Sequence, residues 1–542
     1  MSFSGPSELA SLRIAAVFRA AAWIVALLVS GTWLLHLVTG SPAMFLSLED
    51  DHYYYTVVAD RLVSSGKLSF DGVTLTNGFH PLWFLVIAAL RAVFGRFGSM
   101  YWIAFASVLF VCTVLTFELA ARFLRALGAE SWLAAGIAAA FSFGNALLAA
   151  TGMETAICAP LFLWLLAEVA RGGSANPRQA AKLGLIASLT VLARIDLGLA
   201  VALLVLGLIV LERPGFKAIC AFGCAGLLLP IYAAANLKMF GGLLPISAVA
   251  KEQLLRTAFH PRYLWTCSFY TCYEWFAGPL LALGALALFL ELRSRRLDLR
   301  LLAAGVPIVF AAVFFFLNSF TGWVYFGWYA FPYAAALPAS FWLMWQRWLM
   351  NDSHGRRSPR RMRAFGLALL TCLGIAALSG ATRHFVERGP LGTASDYSML
   401  AMSLSLSERM RDHAGTYAMG AMAGAVSQRL EHPVFQLEGL VGDRRMLAHL
   451  RNQDPLPQVL AENHVDYLIV SYADEPAPRR KGCYVIQEPY PVWARESKRL
   501  SGVLCATPIV DFVTEHGPHS WSFFGALETL VFDLHGARWE PN

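Results

Sequence analysis

The polar stretch SLEDDHYYYTVVADRLVSSGKLSFDGVTLTNGFHPLWF, Ser47–Phe84, decides how the rest of the chain is read. An apolar block over about 14–38 precedes it and another over 101–121 follows. A bilayer crossing takes about 20 apolar residues, so both blocks read as membrane spans and the stretch between them as the first long loop. It opens on three adjacent acids, Glu49, Asp50 and Asp51. Their charges repel one another. Such a set suits a solvated loop start, or a site where a cation, a general-base role or a charged substrate compensates. Tyr53, Tyr54 and Tyr55 follow. The stretch closes on TNGFHPLW, where Asn77 and His80 precede Pro81. Proline suits the first turn of a helix, and the N–H groups of that turn would suit a phosphate.

Working outward, the composition agrees. Hydrophobic residues make up 57% of the 542 and charged residues only 15%, against about 25% charged in soluble domains. The net charge of +7 comes from short Lys and Arg clusters between apolar blocks. That is the pattern of the positive-inside rule and gives no reason to expect nucleic-acid binding. The first apolar block is too long for a signal-peptide core and reads as an uncleaved span.

Spans are expected at about 14–38, 101–121, 132–150, 154–170, 180–193, 196–212, 217–235, 277–290, 301–317, 329–347 and 364–382. If 81–95 also crossed, the basic loops would change sides after it. Read instead as a juxtamembrane or re-entrant helix, it leaves eleven spans with every basic cluster cytoplasmic: Arg13 and Arg19, Arg122 and Arg125, the 171–182 loop, Arg213 with Lys217, ELRSRRLDLR and RRSPRRMR. After about residue 383 strand-like runs appear: GTYAMG, HPVFQLEGL, VDYLIVSY, CYVIQEPY and VLCATPIVDFV, with a helical segment over 443–462. The fold expected is an all-α polytopic membrane domain over 1–383, followed by a small extracytoplasmic α/β domain over 384–542. Cys112, Cys158, Cys220, Cys224 and Cys372 lie in apolar blocks. Cys267 with Cys272, or Cys483 with Cys505, could pair if their segments face an oxidising compartment. No cysteine spacing resembles a zinc site.

Under this topology further polar groups share the face of the first loop. GMET places Glu154 in a turn. ARID places Arg194 and Asp196 between two apolar runs, as a structural ion pair or as part of a site. NLKMFGGLLPISAVAKEQ carries Lys238 and Lys251 on the side where lysine is disfavoured, which points to an anionic partner. SFTGWVYFGWYAFPY holds Trp323, Tyr325, Trp328 and Tyr329, equally readable as an interfacial aromatic belt.

In their order, LEDDHYYYTVVADRL, FDGVTLTNGFHPLW, GMET, LARID, NLKMFGGLLPISAVAK, FGWYAFPY and HPVFQLEGLVGD resemble blocks of bacterial GT-C superfamily glycosyltransferases over most of 40–470. The resemblance implies the GT-C fold and transfer of a sugar, with inversion, from a polyprenyl-phosphate donor to a glycan, lipid or protein acceptor. Transfer would occur at the periplasmic face of the bacterial inner membrane. It implies Asp50 as catalytic base, with Asp51 orienting the acceptor or helping to hold a divalent metal (Mg or Mn). His80, Arg194 and Lys251 would meet the donor phosphate. Tyr53, Tyr54, Asn77, Glu154, Asp196, Trp328 and Tyr329 would contact substrate. The chain departs from the subgroup pattern with Arg194-Ile195-Asp196 for Arg-Pro-Asp and Glu438-Gly439-Leu440 for Asp-Gly-Leu, keeping the charge in both. The alternatives are a metal-dependent polyprenyl-diphosphate glycan transferase, a lipid-linked sugar transporter, and a glycan-binding protein with a degenerate site. A transporter should show repeat symmetry or broken midplane helices, and the sequence gives no sign of them.

Overall fold

The computed structural model describes residues 6–39, 48–95, 98–252, 259, 277–294, 297–320, 327–349, 398–473, 476–490, 498–515 and 526–540. Fourteen described helices precede the C-terminal part. They are α1 (Pro6–Thr39), α2 (Asp50–Ser65), α3 (Pro81–Phe94), α4 (Ser99–Ala126), α5 (Ser131–Ala150), α6 (Thr155–Arg171), α7 (Pro177–Ala193), α8 (Gly198–Glu212), α9 (Phe216–Ala225), α10 (Leu228–Phe240), α11 (Ile246–Glu252), α12 (Ala277–Ser294), α13 (Leu299–Asn318) and α14 (Tyr333–Met344).

Among the described residues six helices are long and apolar enough to cross a membrane: α1, α4, α5, α8 with the turn before it, α12 and α13. The helices α9 and α10, bent by 47° at their junction, make a seventh if they form one span. This is a multi-pass membrane protein. The expected eleven crossings are not reached among the described residues. Helices α6 and α7 have 17 residues each and α14 has 12, short of the ~20 a full crossing needs. The segments 364–382, 261–276 and 321–326 lie outside the described residues. Helix α3 has 14 residues and is too short to cross, in keeping with a juxtamembrane 81–95.

Small residues let the bundle close up. Helix α5 is rich in Ala and Gly and packs against α1 and α4, while α6 also lies on α4. At one end Glu168 of α6, almost fully buried, meets Arg122 of α4, Arg171, and Nζ of Lys182 at 2.8 Å. One buried carboxylate thus ties three helices together at the end the charge rule assigns to the cytoplasm.

The C-terminal α/β domain holds α15 (Ser398–Arg409), α16 (Ala423–Arg429), α17 (Arg444–Asn452), α18 (Leu456–Glu462) and two sheets. The first sheet has the order β2-β1-β3-β8-β7, built from β1 (Tyr417–Met419), β2 (Val434–Gln436), β3 (Tyr467–Ala473), β7 (Val510–Glu515) and β8 (Ala526–Asp533). Strands β2, β1 and β3 run parallel, whereas β8 and β7 are antiparallel to their neighbours. The second sheet is antiparallel, β4-β5-β6-β9, from Arg479–Arg480, Cys483–Glu488, Leu500–Cys505 and Arg538–Glu540. A Cys483–Cys505 disulfide joins β5 to β6. The single helix expected over 443–462 is two, because Gln453 is left-handed (φ 56°) and Pro455 cannot continue α17. The run VLCATPIVDFV is likewise two strands, β6 and β7. The 383/384 boundary and the Cys267–Cys272 pair fall outside the described residues.

The C-terminal domain sits directly on the helical part. Thr56 Oγ1 of α2 donates to Gln428 Oε1 of α16 at 2.8 Å. Gly78 lies so close beneath Leu440 that a Cβ there would fall 1.9 Å from its carbonyl oxygen. Buried apolar residues of both parts form one cluster.

Candidate active site

Asp50 and Asp51 are not in an irregular loop. They form the first turn of α2, after the extended N-cap Glu49. Acids are favoured at a helix N-terminus, where unpaired N–H groups concentrate positive potential. The helical turn of about 100° per residue then separates them, and each aligns with the residue four places on. Asp50 shares its side with Tyr54, which hydrogen-bonds to it. Asp51 shares its side with Tyr55.

Asp50 faces the C-terminal domain. Its Oδ1 accepts the Ala425 N–H at 2.7 Å and its Oδ2 the Gly424 N–H at 3.3 Å. Only glycine fits at 424, since a Cβ there would lie 2.5 Å from the Asp50 carbonyl oxygen. Burial pushes the Asp50 carboxyl up to about 7 from its ordinary 3.8; the Ala425 N–H opposes this and the Asp51 charge adds to it. Asp51 is also raised by burial, and here Lys251 opposes. Its other charged neighbours are Glu154 and Arg194. One aspartate therefore looks toward the C-terminal domain and the other toward the cationic cluster.

That cluster is built from six segments. Arg194, 2% exposed, pairs with Glu154 and holds Asp196 Oδ2 at 3.2 Å through Nε. Its guanidinium lies 4.1 Å from the Phe331 ring centroid and 5.4 Å from that of Tyr329. Glu154 also accepts from Tyr55 Oη at 2.9 Å, and His80 Nε2 lies 3.6 Å from it. Burial would raise Glu154, but His80, Arg194 and the Tyr55 hydroxyl outweigh burial and keep it below its ordinary range. His80 is the N-cap of α3. Its Nδ1 accepts the Ile195 N–H at 3.4 Å, which assigns the neutral ring's proton to Nε2, facing Glu154. Burial pulls this imidazole below its ordinary value. Lys251 of α11 donates to Tyr329 Oη at 2.5 Å, and Trp328 stacks beside Tyr329.

Some residues singled out in the sequence hold others in place. Asn77 Oδ1 accepts the Ile246 N–H at 3.0 Å and so anchors the helix that carries Lys251. Its Nδ2, fully enclosed, has no hydrogen-bond partner among the described residues. Tyr53 packs under the α16 turn at Gly424, away from the cationic cluster. Arg194 is committed to two carboxylates and two rings, so it supplies field more than a free ligand hand. Phe331, Gly424 and Ala425 were missed by sequence reasoning, and Tyr55, noted there among three tyrosines, was not linked to Glu154. The spacing Asp51…Tyr55 at i, i+4 would have shown Tyr55, had the segment been read as a helix. Glycine and alanine amides carry no side-chain signal.

A divalent metal at Asp50 and Asp51 fits poorly. Among the described residues no third carboxylate or imidazole closes a ligand group with the pair, and Mg or Mn calls for about six oxygen ligands. The one qualifying group, Cys483, Cys505 and Glu540, has its sulfurs joined to each other.

No family model matches the sequence, and no curated protein matches it. Solved structures do resemble the fold. Archaeal oligosaccharyltransferase AglB from Archaeoglobus fulgidus, in complex with an inhibitory peptide and a dolichol-phosphate, aligns over 84% of this chain and 69% of its own, with TM-score 0.50 and 12% identity. ArnT from Cupriavidus metallidurans bound to undecaprenyl phosphate aligns over 92% and 98%, with TM-score 0.47 and 13% identity. Arabinofuranosyltransferase AftD from Mycobacteria aligns over 96% of this chain and 40% of its own, with TM-score 0.44 and 14% identity. At 12% identity the likeness to AglB is one of fold alone.

Proposed function

We propose that this protein is a glycosyltransferase that moves a sugar from a polyprenyl-phosphate donor to an acceptor hydroxyl, with inversion. The observation that carries the reading is the division at the first turn of α2: Asp50, held near pKa 7, faces the C-terminal domain, while Asp51 faces Lys251, Glu154 and Arg194. A general base works best with a pKa near the working pH. Asp50 removes the proton of the acceptor hydroxyl as its oxygen attacks the anomeric carbon. The bond from that carbon to the phosphate oxygen breaks, and polyprenyl phosphate leaves with the electron pair. Lys251 receives the phosphate charge as it builds, with His80 at the start of α3 beside it. Arg194, itself saturated, supports these groups through the field of its buried charge. A phosphate leaving group needs little protonation, so a second acid is not required.

The reading places the site and the C-terminal domain on the periplasmic face of a bacterial inner membrane. The Cys483–Cys505 disulfide suits an oxidising compartment, and the Glu168 cluster marks the opposite, basic end. The metal-dependent diphosphate-donor reading is disfavoured by the ligand set around Asp50. Purified protein given a polyprenyl-phosphate sugar and acceptor should release polyprenyl phosphate in the presence of chelator. No release with any such donor would set the transferase reading aside; release only with added Mg or Mn would favour the rival.

A further inference from the structure

Two buried carboxyls of the C-terminal domain, Glu438 and Glu488, play no part in the mechanism above, and Glu438 interacts electrostatically with Asp50. Glu438 follows β2, is 5% exposed, and its Oε2 accepts from Gln436 Nε2 at 3.0 Å. The Gln436 carboxamide oxygen in turn accepts the Leu440 N–H at 3.1 Å, so this loop is fixed at both ends over Gly78. Glu488 ends β5, is also 5% exposed, and its Oε2 has no hydrogen-bond partner among the described residues. That oxygen lies over Gly420, where a Cβ would approach it to 1.8 Å. Gly420 begins the turn whose other end, at Gly424 and Ala425, grips Asp50. The carboxyls nearest to Glu438 in electrostatic effect are Glu488, Asp50 and Asp51, in that order.

We infer that Glu438 is an acceptor-binding residue and that the acceptor is an uncharged sugar unit presenting neighbouring hydroxyls, one to Asp50 and the next to Glu438. This deepens the proposed transferase reading and rests on it. A hydroxyl both donates and accepts, so it satisfies a carboxyl in either protonation state. An acidic acceptor would set a like charge beside Asp50, which must itself be ionised to act as base. A single-hydroxyl acceptor such as a serine side chain would leave the enclosed Glu488 Oε2 unpaired, and sites built for hydroxyls reject ligands that lack them. Burial raises Glu438 well above its ordinary value and Glu488 to about 8, with Glu488 adding to the shift of Glu438. Glu488 is therefore largely protonated near neutrality and able to donate as well as accept.

The test uses the full-length protein in detergent, a polyprenyl-phosphate sugar as donor, and three acceptor probes: neutral methyl glycosides, methyl uronosides, and a serine-containing peptide. Transfer to the neutral glycosides alone is expected. Glu438→Leu should raise the acceptor KM by about tenfold, the effect of one lost hydrogen bond to a buried group, while the donor KM moves by less than about twofold on the same scale. Glu438→Gln, which keeps a hydrogen-bonding head, should recover most of the loss. Polyprenyl-phosphate binding by both variants serves as the folding check. Comparable transfer to the uronosides or the peptide, or an unchanged acceptor KM in Glu438→Leu, overturns the inference. If the wild-type protein does not cleave the donor at all, the transferase reading beneath it falls.

Discussion

Asp50 and Ala425 lie 375 positions apart, yet the Ala425 N–H donates to Asp50 Oδ1 at 2.7 Å. The C-terminal domain thus completes the hydrogen-bond shell of an acid that belongs to the helical part. The domain is not an appendage to the site, because the orientation and proton affinity of Asp50 both depend on it.

The pH dependence follows from that shell. As a base Asp50 must be ionised, and its carboxyl is held near 7. kcat/KM should therefore rise about tenfold per pH unit below roughly pH 7 and level off above it. A profile flat from pH 5 to 8 would exclude Asp50 as the base.

Gly424→Ala tests the contact itself. The new methyl would meet the Asp50 carbonyl oxygen at 2.5 Å, so the turn must move and its N–H groups must leave the carboxylate. Those groups favour the ionised form, and losing them raises the pKa of Asp50 further. The acid limb of the pH profile should shift upward, with a fall in turnover at pH 7. A profile that matches the wild type in midpoint and height would show the contact to be incidental.

Arg194 and Lys251 should behave differently on removal. Arg194→Ala leaves Glu154 buried without its partner, a loss of about 3–5 kcal/mol. Its first effect should be lower thermal stability and yield. Lys251→Ala should keep the fold and weaken polyprenyl-phosphate binding. Equal melting temperatures for Arg194→Ala and wild type would contradict the structural role, and wild-type lipid affinity in Lys251→Ala would move the phosphate site elsewhere.

Much of this arrangement is legible in the sequence, and the limits are physical. The charge rule places Glu154, Arg194 and Lys251 on the face of the first loop, and these segments converge in the structure. The direction of each aspartate is not legible, since it depends on whether Asp50 begins a helix or lies in a loop. A one-residue shift of the helix would turn Asp51 to the side that Asp50 now occupies. The backbone donors Gly424 and Ala425 are invisible to a reading of side chains. The span count is poorly legible because α6, α7 and α14 are shorter than the apolar blocks that contain them or that a crossing requires.

Glu488 gives a prediction on stability. Burial raises its carboxyl to about 8 from 4.5, so the folded state holds a proton that the unfolded state has released between those values. Stability contributed by this group is full below pH 4.5 and declines as pH rises through 8. Glu488→Gln should remove that decline and melt higher than wild type at pH 8.5 but not at pH 5. Parallel melting curves at both pH values would argue against a protonated Glu488.

The topology can be read from cysteines placed away from the site in a cysteine-free background. Val73, in the first long loop, is 78% exposed and Phe216, the first residue of α9, is 81% exposed. A membrane-impermeant thiol reagent should label Val73→Cys in intact cells and reach Phe216→Cys only after the membrane is opened. Labelling in the reverse order would turn the molecule over.

The central claim is most directly tested by Asp50→Asn. The substitution keeps the side-chain shape and removes the ability to take a proton. The purified variant should bind polyprenyl phosphate as the wild type does and transfer sugar more slowly by about 10²–10⁴-fold, the usual contribution of a general base. Transfer at the wild-type rate, with lipid binding unchanged, would contradict the account.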